Sequence, residues 1–182
     1  GQTQTFRHIA DSEKAGIAII YQELALVPEM TVYENILLGH EIRKGFRVYW
    51  NETIRKADQM LKKVRLDVNP AALVKDLGVG KQQLVEIAKA LAKDVKLLIL
   101  DEPTAALNEA ESAHLLDIIV DLKKRGVPSI IISHKLNEVE QVADSITILR
   151  DGATIETLVK GADSLSEDRI IKGMVGREIK DR

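Results

Sequence analysis

"LLILDEPTAALN", residues 97–108, runs four apolar residues into two carboxylates and then a proline. A continuous apolar run of this length reads as a strand covered on both faces, the habit of parallel sheets. Proline lacks the amide hydrogen that would extend the ladder, so the strand ends at the acids. Successive strand residues point to opposite faces, and Asp101 and Glu102 therefore cannot do the same job. Asp101, at the strand tip, suits a magnesium site through its oxygen or a bound water, whereas Glu102 suits a base that orients and deprotonates an attacking water. The plain alternative is a solvated turn with an acid capping the next helix; the apolar run before the pair and Pro103-Thr104 after it favour chemistry.

Two other stretches resemble this strand. "AGIAIIYQ" (15–22) is short, apolar and β-branched, and "PSIIIS" (128–133) is apolar throughout and leads to His134. Residues 109–125 read as a helix closed by Gly126, and a further helix covers about 136–143. Strands alternating with helices indicate an α/β core with a parallel sheet, and ligands of such sheets gather at the carboxyl ends of the strands. Gln22, the Asp101-Glu102 pair and Ser133-His134 all fall there. Gln22 offers an amide oxygen to magnesium, and His134 a hydrogen bond to a phosphate or to the water-activating group. A lone strand-end histidine is more often structural, but here it follows a second parallel strand. His8, His40 and His114 lack such company and read as surface residues.

Residues 30–92 read as mostly helical. Thr31 and Glu34 form a T-x-x-E capping box, with Gly39 placed to end that helix. A second helix is expected after Asn51, with Ile54, Ala57, Leu61 and Val64 on one face. A third follows Pro70, from about residue 82, with Leu84, Ile87, Ala88 and Leu91 at i, i+3, i+4 and i+7. "SITILR" and "TIETLV" flank Asp151-Gly152, a strong hairpin signal, and 166–175 reads as a short helix begun by Ser166. The expected segments are 1–29 and 93–182 for the α/β core and 30–92 for a helical subdomain.

Gly78-Val79-Gly80-Lys81 imitates a phosphate loop without matching one. G-x-x-x-x-G-K-[ST] requires a glycine where Lys75 stands and a hydroxyl where Gln82 stands. Bulk properties exclude other classes. A net charge of −2, a pI near 6.1 and 3% aromatic residues give no footprint for nucleic acid. No cysteine is present, so there are no disulfides or thiolate metal sites. No apolar run approaches the ~20 residues that cross a bilayer. The chain begins without methionine and ends on a charged tail, and is expected to be a piece of something longer.

Taken in order, Gln22 with its following loop, "LGVGKQQ", "LLILDEPTAALN" and "SHKLNEV" resemble the Q-loop, signature, Walker B with D-loop, and H-loop of ABC transporter ATPases. The resemblance covers essentially the whole chain. "AGIAIIYQELALVPEMTVYENILLG", "QQLVEIAKAL", "ISHKLNEV" and "MVGRE" are similar to the monosaccharide importers in particular, and "LGVGKQQLVEIAKAL" is most similar to those for D-xylose. This implies a P-loop-NTPase-like core with a helical subdomain, ATP and Mg2+ as cofactors, Glu102 and His134 as catalytic residues, and Gln22 and Asp101 at the metal. It further implies that Gly78, Val79, Gly80, Lys81, Gln82 and Asn108 serve a nucleotide bound to an opposing, head-to-tail ATPase domain, through amides at a helix start. The expected partners are membrane permease subunits, a second ATPase domain and, indirectly, a periplasmic sugar-binding protein, with no nucleic acid. The expected location is peripheral, at the cytoplasmic face of the membrane.

The chain departs from the family pattern in three places. Gly78 replaces a serine, Lys81 a glutamine, and Asn108 the D-loop aspartate; Lys81 either compensates electrostatically or is a solvated first-turn residue, and the changes bear on communication between two sites more than on chemistry at one. Residues 1–14 contain neither the family's adenine-stacking aromatic nor its phosphate loop. The alternatives are therefore a non-hydrolysing interaction module, or a soluble ABC ATPase of another pathway.

Overall fold

The structure is a computed structural model that describes residues 3–176. The chain divides after Ile132 into two compact units. In the first, β1 (Ile17–Ile20), β4 (Leu97–Asp101) and β5 (Ser129–Ile132) form a parallel sheet in the order β1-β4-β5. The register pairs Ile20 with Leu100 and Leu100 with Ile131, so all three strands end at one rim. The α/β fold with a parallel sheet is as the apolar runs predict.

Coverage of the two sheet faces differs from expectation. Ile20, Leu98 and Leu100 are buried, whereas Ile19, Ile130 and Ile132 on the opposite face are 44%, 51% and 52% exposed. Composition alone could not reveal this, because a continuous apolar run does not state which face its neighbours cover.

A short helix, α1 (Ile9–Lys14), precedes β1 and was not anticipated. Three helices follow β1: α2 (Val32–Ile36), α3 (Trp50–Lys63) and α4 (Val79–Leu91). They pack on one another through Val32, Ile36, Ala57, Leu61, Leu84, Ile87 and Ala88, all buried. The Thr31–Glu34 capping box forms as expected, but α2 stops at Ile36, and Gly39, with φ 75°, lies beyond its end. α3 starts at Trp50, one residue before the expected cap at Asn51. Between α2 and α3 a hairpin that the sequence did not announce pairs β2 (Arg43–Lys44) with β3 (Arg47–Val48). After β4, α5 (Glu109–Lys124) is capped by Asn108, with Glu111 closing the box.

The second unit holds α6 (Leu136–Val142), β6 (Ser145–Arg150), β7 (Ala153–Val159) and α7 (Glu167–Val175). Asp151 and Gly152 both have positive φ, 52° and 76°, as a type I′ hairpin turn requires. Ile146, Ile148, Leu158 and Ile170 form its core, with Leu136 and Val139 packed against it. The end of "MVGRE", Arg177-Glu178, lies outside the described residues.

Candidate functional site

Asp101 is the last residue of β4, and Glu102 follows with φ 48°, a left-handed conformation uncommon for a residue with a side chain. The Glu102 amide donates to the Ile132 carbonyl at 2.9 Å, tying the acid pair to the end of β5. Both acids are half-buried. Gln22 lies two residues past β1, exposed, at the same carboxyl rim. The first unit thus brings an amide and two carboxylates to the ends of neighbouring strands. His134 belongs to the second unit, where it is exposed ahead of α6; beside it the Lys135 amide donates to Ser133 Oγ at 3.0 Å.

The glycine stretch is a helix start. Gly78 is the extended N-cap of α4, and Val79, Gly80 and Lys81 form its first turn, three residues earlier than the expected beginning near 82. The family-like amides are therefore in helical geometry, where the first N–H groups lack intrahelical acceptors and the dipole favours negative charge. Val79 and Lys81 are exposed, whereas Gly80 is buried. A Cβ on Gly80 would lie 2.6 Å from Glu111 Cδ. The Gln82 side chain turns back, its Nε2 donating to the Leu77 and Val74 carbonyls at 2.9 and 3.2 Å. The exposed Asn108 accepts from the Glu111 amide at 2.9 Å while Glu111 Oε2 accepts from the Asn108 amide at 3.2 Å.

Two residues not singled out from sequence hold the segment after Gln22 in place, and a third lies beside one of them. Asn35, fully buried, accepts from the Val27 amide at 2.8 Å and donates to the carbonyls of Val27, Thr31 and Met30 at 3.0 to 3.4 Å. Lys89 of α4 donates to the Ala25 carbonyl at 2.6 Å. Glu86 lies 3.8 Å from Lys89; its burial raises the carboxyl pKa, against the opposing pull of Lys89. Asn35 could have been suspected as a polar residue among the apolar positions of a capped helix; Lys89 and Glu86 meet partners too distant in sequence to be read locally.

Magnesium is commonly held by one or two carboxylates together with substrate phosphates, and Asp101 with the Gln22 amide is a donor set of that kind. No cluster of three His, Cys, Asp or Glu that could hold a metal by itself occurs among the described residues. A cleft of about 140 Å³ along β1, between α1 and α4, is lined by Ser12, Glu13, Glu86 and Lys93 but by neither Asp101 nor Glu102. It is too small for a nucleoside triphosphate. No helix among the described residues is long and apolar enough to cross a membrane.

Comparison with known proteins matches this arrangement to relatives. The chain is 61% identical over its full length to the L-arabinose transport ATP-binding protein of Geobacillus stearothermophilus, and 56% identical to the xylose import ATP-binding protein of Thermoanaerobacter pseudethanolicus. It spans 36% of each, so it corresponds to about a third of the length of these relatives. Among solved structures, an ATP-binding cassette of an ABC transporter in its ADP conformation superposes with a TM-score of 0.76 at 25% identity, covering 92% of this chain and 71% of that one. Residues 2–105, which include Gln22, the start of α4 and the Asp101-Glu102 pair, match the family model described as ABC transporter. The chain belongs to the ABC transporter family.

Proposed function

We propose that the chain is part of the ATP-hydrolysing motor of an ABC importer for a pentose. The observation that carries this is the placement of Gln22, Asp101 and Glu102 at one rim of a parallel sheet, on neighbouring strands. When bound, magnesium would draw charge from the triphosphate. Asp101 and Gln22 would hold it, Glu102 would orient the attacking water and take its proton, and His134 would stabilise charge developing on the γ-phosphate. Gly78 to Gln82, with Asn108, would face a nucleotide bound to an opposing ATPase domain, in a head-to-tail pair. Permease subunits at the cytoplasmic face would receive the motion, and a periplasmic binding protein would deliver the sugar to them. D-xylose and L-arabinose are the sugars in the relatives' names, and both are pentoses; D-xylose is the one the signature stretch favours.

The test is ATP turnover and nucleotide binding by the chain joined to a segment carrying G-x-x-x-x-G-K-[ST], with and without Asp101→Asn. Loss of magnesium-dependent binding in that variant supports the assignment, and unchanged magnesium dependence removes Asp101 from it.

The alternative reading is an interaction module that does not hydrolyse ATP. The chain by itself is expected to show no appreciable ATPase, and robust turnover by the pure chain would remove this alternative.

A further inference from the structure

We propose that the β2–β3 hairpin is a lipid contact, in which Lys44 and Arg47 meet the headgroups of an anionic bilayer and the Phe46 ring enters its interface. This does not rest on the nucleotide chemistry. Phe46 is 110% exposed, its ring projecting into solvent from the tip of the turn. Gly45, with φ 60°, takes the first central position of that turn, the place glycine holds in type II′ hairpins.

Lys44 and Arg47 face each other directly across the strands. Like charges in that position destabilise a two-stranded pair, so the arrangement needs an external reason. Between residues 42 and 51 there is no acid, although the whole chain carries a net charge of −2. Glu41 compensates Arg43, at 2.5 Å. The next acid along the chain is Glu52, in the first turn of α3.

The hairpin is held at its base. The Tyr49 amide donates to the Ile42 carbonyl at 2.8 Å, and the Ile42 amide donates to Oγ1 of buried Thr53 at 3.1 Å. Lys44 Nζ lies 5.2 Å from the Tyr49 ring centroid, and Trp50, 49% exposed, begins the next helix. Aromatic rings beside cations are the composition of interfacial membrane contacts. A protein partner would need a broad complementary patch, on the order of 1,000 Å² in total. One ring on a narrow tip offers none, whereas a bilayer accepts a point insertion.

The test is sedimentation of the chain with vesicles of phosphatidylcholine alone and of phosphatidylcholine mixed equally with phosphatidylglycerol. Binding is expected to the mixed vesicles only, and to be lost at about 0.5 M salt. Arg47→Glu should weaken it roughly tenfold or more, Arg47→Gln by less, in line with the attraction of each cation to an anionic surface. Phe46→Ser should weaken it without changing its salt dependence. Trp50, the single tryptophan, reports the approach by a blue shift of its fluorescence. All three substitutions are at exposed tip positions, and an unchanged circular dichroism spectrum checks the fold. Absence of binding to the mixed vesicles overturns the proposal, as does binding that survives both Arg47→Glu and Phe46→Ser. Retention on polyglutamate or on a single-stranded oligonucleotide, without vesicle binding, also overturns it in favour of a different partner.

Discussion

The Glu111 carboxyl group lies over the α-carbon of Gly80, so that one side chain serves the start of α5 and crowds the start of α4. Glycine at 80 leaves room for this neighbour and does not answer to its backbone angles: Gly80 is inside a helix, where alanine is preferred by about 1 kcal/mol. Gly80→Ala alone is expected to gain less than the ~1 kcal/mol that helix propensity favours, since Glu111 must leave its capping box to make room. In a Glu111→Ala background the same change should stabilise by up to about 1 kcal/mol. Denaturant melts of the four proteins give the coupling, and additive effects would show that the two residues do not interact.

Asn35 closes the turn that follows Gln22 by four hydrogen bonds to main-chain groups. Asn35→Ala leaves those groups enclosed without their partner, at a cost of about 2–3 kcal/mol. Asn35→Asp keeps the acceptor but sets a charge against three carbonyls, and is expected to be no better tolerated. Thermal unfolding checks both, and a loss under about 0.5 kcal/mol would count against the network.

Thr31→Ala should cost about 1 kcal/mol at neutral pH. Thr31 Oγ1 donates to Glu34 Oε2 at 2.5 Å, and the amide of Thr31 donates to the same oxygen at 2.8 Å. These bonds hold the Glu34 carboxyl below its ordinary pKa, the side-chain bond contributing most. The stability they give is present above the ordinary glutamate value and is lost as pH falls through the lowered one. The penalty of Thr31→Ala should therefore shrink in acid, and a penalty independent of pH would contradict the assignment.

Glu86 has the opposite sign. Burial raises its carboxyl pKa, so the folded protein tolerates it best when protonated, and the cost of ionising it grows as pH rises from the ordinary glutamate value through the raised one. Glu86→Gln is expected to match the parent in melting temperature at acid pH and to exceed it at neutral pH. A lower melting temperature at neutral pH would show that the pairing with Lys89 outweighs desolvation.

Glu102→Gln, made in a protein that also carries the phosphate loop, is expected to lower ATP turnover on the order of 10²–10⁴-fold while sparing ATP binding. Undiminished hydrolysis would remove Glu102 from the role of base.

The parallel sheet was legible because its three strands are apolar runs with sharp ends, and the Thr31-Glu34 and Asn108-Glu111 boxes because caps are local chemistry. The acid pair was legible for the same reason: a buried strand followed by Asp-Glu-Pro leaves few readings. The β2–β3 hairpin was not, since two residues per strand carry no periodicity. The start of α4 was placed late because glycine is a poor helix former, and its tolerance at 80 depends on Glu111, thirty-one positions away. Nor could alternation of side chains tell that Ile19, Ile99 and Ile130, in register across three strands, occupy the less covered face.

That isoleucine row also governs how the material behaves in a tube. A greasy band two or more strands wide invites self-association as concentration climbs, so preparations of the 182-residue chain should bind hydrophobic dyes while still folded and should stay clear longest when dilute.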